Sequence, residues 1–325
     1  LVSRKGADVL AREVAAAEHA RVRLSALLLS VLPLLVPGAD FPVLSPAVAE
    51  RPPLALRASG ALDRRAVPEC SALLASRRHE RTFWTLSDSG GPARLVPVRA
   101  NGLVVSGLAG AGYLGVEVAG ARNLDWEALA YDGAGNLVIG DVGNNLSRRR
   151  ELNLLIVPEP VPGAASTAPA RQVAFTWPDQ REFPDPELRH DCEAMFLHKG
   201  RIHLLTKHRR DTRTTVWRVE IPPAGNRAFL TQVGALEARG MVTDASVSPD
   251  GRWLAVLTYR LIWVFDLRGS PENPLSGPAH ARLLQPPAAQ WQLEGCAWVD
   301  EKTLLLGSEE GALFSVPLAE ILNPR

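Results

Sequence analysis

The chain reads as an all-β protein, a β-propeller built of four-stranded blades. Three observations predict this. Helical periodicity nearly vanishes after residue 40, and short apolar runs alternate with turns such as Asp132-Gly133 and Pro249-Asp250-Gly251. Gly and Pro number 26 each, which suits a chain with many turns. Above all, one pattern recurs: an acid, a small or thiol residue, an apolar run, a turn and a second apolar run.

The pattern occurs as PECSALLAS from Pro68, DWEALAYDG from Asp125, DCEAMFLHKG from Asp191, TDASVSPDG from Thr243 and LEGCAWVDE from Leu293. Its acids are Glu69, Glu127, Glu193, Asp244 and Glu294, spaced 50 to 66 residues apart. A third apolar run follows each pair: ARLVPV, LNLLIVP, TVWRVEI, LIWVFDL and ALFSVPL. Most units add a fourth, such as ARQVAFTW or AFLTQVGAL. A four-stranded unit cannot bury both sheet faces alone, so the units pack around an axis. Five blades are expected, with six as the alternative if a longer interval hides a degenerate blade. The last unit has room for three strands at most. The segment LALRASGAL, residues 54 to 62, is expected to supply its outer strand and close the ring.

Residues 1–39 are expected to be an N-terminal extension and signal peptide, and 40–325 a single propeller domain. Arg21 and Arg23 precede LSALLLSVLPLLVPGA, residues 24 to 39. That run is short for a transmembrane span and has the charge and apolar order of a secretory signal, with cleavage near Ala39. A single N-terminal anchor is the alternative, and a later start near Val22 would shorten the basic region. The expected location is secreted or periplasmic, with no stable membrane span after cleavage.

Lys+Arg number 36 against Asp+Glu 35, a net charge of +1, so no global field favours nucleic acid. The cysteines Cys70, Cys192 and Cys296 have no CxxC or Cys/His spacing, which disfavours zinc. No GxSxG elbow, HExxH, Walker loop or EF-hand is present.

Antiparallel pairing sets the start of each blade's first strand beside the end of its second. The recurrent acids and the second-strand loops therefore gather at one mouth of the channel. Like charges crowded there repel unless paired, protonated or bound to a cation, and carboxylate oxygens suit calcium. Glu69, Glu127, Glu193, Asp244 and Glu294 are thus candidate Ca2+ ligands. The alternative is that they accept backbone amides and pin blades together. Asp125 and Asp191, each two residues before its acid, are candidate catalytic carboxylates, with His208 placed as a general base. Asp88, Asp141, Asn144, Asn145, Lys207, Arg209 and Arg260 end second strands or lie in the loops after them, and are candidates for substrate binding. The basic ones could clamp a phosphate or carboxylate. Trp84, Trp126, Trp217, Trp253, Trp263 and Trp298 are expected to pack between blades.

PECSALLAS…FWTLSDSGG followed by NLDWEALAYDG…LVIGDVGNN…VPEP resembles a group of secreted bacterial β-propeller proteins, described as WD40-like and in part as esterase-like phytase propellers. The resemblance covers about residues 67 to 160. Members often read GDxGDN where this chain has Gly143-Asn144-Asn145, and an amide in place of a carboxylate lowers the local charge. The resemblance implies fold and export more than chemistry. Two functions remain in view. One is a calcium-dependent hydrolase of a small phosphoester, lactone or ester. The other is a non-catalytic propeller that binds a small anionic ligand, an envelope protein or a glycan. The chain is expected to be a monomer.

Overall fold

The structure, a computed structural model, describes residues 41–223, 225–269 and 272–322. The expected signal segment lies outside the described residues. The described residues form a five-bladed β-propeller with one short α-helix, α1 (Leu318–Leu322), and a 3-10 turn at Gly107–Ala109 among them. Among the described residues no helix is long and apolar enough to cross a membrane.

Each blade is an antiparallel meander whose first strand lines the channel. The first strands are Cys70–Ala75, Trp126–Tyr131, Cys192–His198, Val242–Val247 and Leu293–Asp300. They pair with Phe83–Ser87, Asn136–Asp141, Arg201–Thr206, Trp253–Thr258 and Thr303–Ser308. The third strands fall where the apolar runs predict, at Arg94–Val98, Leu152–Pro158, Arg213–Glu220, Leu261–Asp266 and Ala312–Pro317. The turns follow their sequences. At Ser248-Pro249-Asp250-Gly251 the serine hydroxyl donates to Asp250 at 2.5 Å, and Gly251 takes φ +72°.

The N-terminal segment closes the ring as expected. Ala58–Ala61 pairs antiparallel with Ala312–Pro317 and completes blade five. Two further strands do more than the sequence suggests. Val43–Leu44 adds in parallel to the outer strand Phe229–Glu237 of blade three, and Leu54–Ala55 adds to Ala279–Gln285 of blade four. The segment therefore runs round the perimeter, covering sheet edges on three successive blades.

The core is divided as the packing argument requires. Five apolar clusters fill the five gaps between neighbouring blades. Trp84 and Trp126 lie between blades one and two, Trp217 between two and three, and Trp263 between three and four. Trp253 and Trp298 lie between four and five. Polar pins cross the gaps as well. Glu159, after the third strand of blade two, accepts from Trp84 Nε1 at 2.8 Å, Tyr131 Oη at 2.9 Å and the Ser76 hydroxyl.

Candidate functional site

Every first strand carries a bulge near its start, and the bulge sets what faces the channel. Pairing registers skip Ser71, Glu127, Glu193, Thr243 and Glu294. These five residues are structurally equivalent. The preceding residues, Cys70, Trp126, Cys192, Val242 and Leu293, are all fully buried. One residue earlier stand Glu69, Asp125, Asp191, Met241 and Gln292. The backbone amide just past the second strand donates to four of these: Asp88 N to Glu69 O, Val142 N to Asp125 O, Lys207 N to Asp191 O and Glu309 N to Gln292 O.

This register corrects the expected alignment of acids. Glu69 does not share the position of Glu127; it matches Asp125 and Asp191 and lies exposed at the rim. Asp244 does not share it either. It follows the bulge residue Thr243, where the other blades carry Ala72, Ala128, Ala194 and Gly295. There its carboxylate accepts the amides of Cys296 at 2.7 Å, Ala245 at 2.8 Å and Leu73 at 3.3 Å. Those amides belong to blades five, four and one. Asp244 thus fits the expected alternative of a blade pin. The bulge hydroxyls are pins too: Ser71 donates to Trp126 O at 2.8 Å and Thr243 to Leu293 O at 2.7 Å. A bulge glutamate has no such bond to the next blade, so Glu127, Glu193 and Glu294 turn charge into the mouth. Aligning the repeats on the buried residue before the bulge, rather than on the acid, is the sequence signal for this.

The mouth has two halves. On the side of blades one and two, Asp88, Asp125 and Glu127 each place a carboxylate oxygen within 4.8 Å of the others. Glu127 is 4% exposed, yet its carboxylate accepts no hydrogen bond among the described residues. Burial pushes its pKa well above the usual range, and Glu193, Asp88 and Asp125 add to the rise. Asp125 packs its carboxyl against Gly143, where a Cβ would lie 2.3 Å from its Cγ. It is pushed up to about 7 by burial, with Asp88 and Asp191 adding like charge.

The other half is neutralised. Lys207, 2% exposed, meets Glu193 in a short ion pair and lies 4.0 Å from Glu294. Its ammonium sits 4.7 Å from the centre of the Tyr259 ring. Burial opposes the ammonium charge, but Glu193, Tyr259, Glu294 and Asp191 together more than offset this and the pKa rises. Burial raises Glu193 against the pull of Lys207, and raises Glu294 to about 7. Arg209 bonds Asp191 at 2.7 Å and also reaches Asn145 and Glu193. Tyr259 and Glu309 close this ring in positions equivalent to Lys207. The sequence marks them only as loop residues.

The remaining candidates hold structure rather than face the mouth. Asp191 is fully buried, taking Arg209 and the amides of Asn144 and Cys192, so it does not form a matched pair with Asp125. Asp141 takes Arg149 at 2.9 Å and the Asp125 amide at 3.1 Å. Asn144 caps its loop through Arg148 N, Arg149 N and His190 O. Arg260 spends its guanidinium on the carbonyls of Trp291 and Ala289, which ties blade four to five. His208 bonds Asp211 at 2.9 Å and is lowered by burial; its charged neighbours are Asp211, Arg189 and His190, not the mouth acids.

A pH profile follows from the raised acids. Unfolded carboxylates titrate near 4, whereas Asp125 and Glu294 titrate at about 7 in the fold. Between those values the folded state binds more protons, so stability is lost as pH rises through that window. Without added metal, the Tm is expected to fall by on the order of 5 °C between about pH 5 and about pH 8. Glu127→Gln should flatten the fall. A Tm that climbs over this range would contradict the crowding of acids.

The fold and the mouth define a class: a five-bladed β-propeller with a carboxylate-rich channel mouth. Among solved structures, the chain is similar to the PQQ-bound aldose sugar dehydrogenase of Streptomyces coelicolor, at 9% identity and a TM-score of 0.45. The match covers 81% of this chain and 96% of that one. A chain of a mitotic checkpoint complex matches at 13% identity and a TM-score of 0.36, over 77% of this chain and 64% of that one. These likenesses concern fold alone. No protein-family model matches the chain. No curated protein matches it.

Proposed function

We propose that the protein is an exported, calcium-binding propeller that hydrolyses a small phosphoester, lactone or ester at this mouth. One observation carries the calcium site. Glu127, a side chain only 4% exposed, brings a carboxylate with no hydrogen-bond partner among the described residues to within 4.8 Å of those of Asp88 and Asp125. Three hard oxygen donors from two blades fit a calcium ion better than a softer metal. A bound calcium supplies Lewis-acid polarisation of a substrate oxygen. The chain's own groups supply the rest. Asp125 is half-buried at the mouth, where its carboxylate can accept a hydrogen bond from an attacking water and orient it. Lys207 and Arg209 hold the far wall of the mouth through Glu193 and Asp191. They brace the site rather than grip an anion. Export is supported by the basic-then-apolar order of residues 21 to 39.

Calorimetric titration with calcium tests the site. The wild-type protein is expected to bind one ion, and Glu127→Gln to weaken it at least about tenfold. An unchanged affinity in Glu127→Gln, or no binding at all, ends the proposal. A screen of aryl phosphates, esters and lactones with and without EDTA then tests hydrolysis. A second reading, a non-catalytic binding propeller, is favoured by one feature. Both bulge hydroxyls, Ser71 and Thr243, are committed to backbone carbonyls and offer no nucleophile. In that case calcium binds and no substrate turns over.

A further inference from the structure

The first strands run from the acidic mouth to a second opening of the channel, and that opening is chemically its opposite. A cavity of about 780 Å³ lies there, lined from all five blades. Its walls are more apolar than polar, with Leu74, Ala130, Met195, Val247 and Trp298 beside Ser76, Ser246 and Ser248. Arg77, Lys199 and Arg268 are among its lining residues, and no aspartate or glutamate is. Two acids near the cavity are engaged elsewhere. Glu159 holds Ser76, Trp84 and Tyr131, and Asp250 takes Ser248 and the Arg252 amide. Arg268 is neutralised by Asp266 at 2.6 Å. Arg77 and Lys199 are not. The Arg77 guanidinium lies 4.5 Å over the Tyr131 ring, and neither residue has an ion-pair partner among the described residues. Both are exposed, Lys199 at a hairpin turn.

We propose that this second mouth binds an amphiphilic anion, with a hydrocarbon or aryl body in the cavity and one acidic head between Arg77 and Lys199. The volume falls in the range of small-molecule sites, roughly 300–1,000 Å³. Apolar walls supply the burial, and two unneutralised cations at the rim select the sign of the head. A hydrophilic anion of the same charge lacks the first contribution, and a long-chain cation lacks the second.

Calorimetry on the full chain with decanoate, decyltrimethylammonium and acetate separates these contributions. Decanoate is expected to bind with one-to-one stoichiometry, and the cation at least about tenfold more weakly. Acetate should give no saturable heat. The double variant Arg77→Glu, Lys199→Glu changes two exposed side chains and should keep its circular dichroism while losing about tenfold or more in decanoate affinity. Asp125→Asn, at the other mouth, should leave decanoate binding unchanged. Absence of decanoate binding overturns the proposal. So does equal affinity for the cation, undiminished binding in the folded double variant, or loss of binding in Asp125→Asn.

Discussion

Asp244→Ala is expected to destabilise the fold by roughly 3–5 kcal/mol while leaving calcium affinity untouched. The carboxylate is 1% exposed and receives amides from blades four, five and one. Alanine would leave three buried N–H groups from three blades without an acceptor. Each such group costs roughly 1–3 kcal/mol, partly relieved if water enters. Burial already raises the Asp244 pKa well above the usual range, and the three amides work against that rise. Urea denaturation measures the loss as a shift in midpoint at unchanged slope. A loss below about 1 kcal/mol would mean that the amides find other partners. A loss of calcium affinity with the fold intact would return Asp244 to the metal site.

Lys207→Met should be nearly as costly, and its cost should depend on pH. Lys207 is the buried cation between Glu193 and Glu294. Removing it leaves two buried carboxylates, with Arg209 reaching only Glu193, at 3.4 Å. Breaking a buried pair from one side costs roughly 3–5 kcal/mol. Both glutamates already bind protons more readily than usual, and without Lys207 they would do so more strongly. The penalty is therefore largest near pH 8 and shrinks toward pH 5, where the carboxyls are neutral. Stability curves of wild type and variant at the two pH values check this. A penalty independent of pH would show that Lys207 contributes packing against Tyr259 and little charge.

The two variants separate what the repeat conceals. In sequence, Asp244 and Glu193 look alike: each is an acid at the head of an apolar strand. In the fold, Thr243 takes the bulge in blade four and Asp244 moves one step along the channel. Glu69 slips the other way, to the rim. The alternation of apolar residues shows where each strand lies, but a bulge of one residue changes which side chain faces the axis. Pairing with the second strand shows the bulge directly, whereas an alignment on the acids hides it. The fate of the basic loop was hidden for a related reason. Lys207 and Arg209 look like an anion clamp until Glu193 and Asp191 are seen to hold them.

The sequence by itself determined the four-stranded blades, five as the expected number with six as the alternative, the tryptophans between them and a closing strand within residues 54 to 62, which forms at Ala58–Ala61. Those features rest on hydrophobic period, turn residues and repeat length, which are local and written into each segment. Tertiary structure alone decided which acids share the mouth and which pin the blades. It also decided which cations are spent, and it made the apolar, basic opening at the far end. These depend on groups from different blades meeting across the axis, where burial and neighbouring charge set each carboxyl's state. No segment carries that information alone, because the field at Glu127 is made by Asp88, Asp125 and Glu193, residues from three blades.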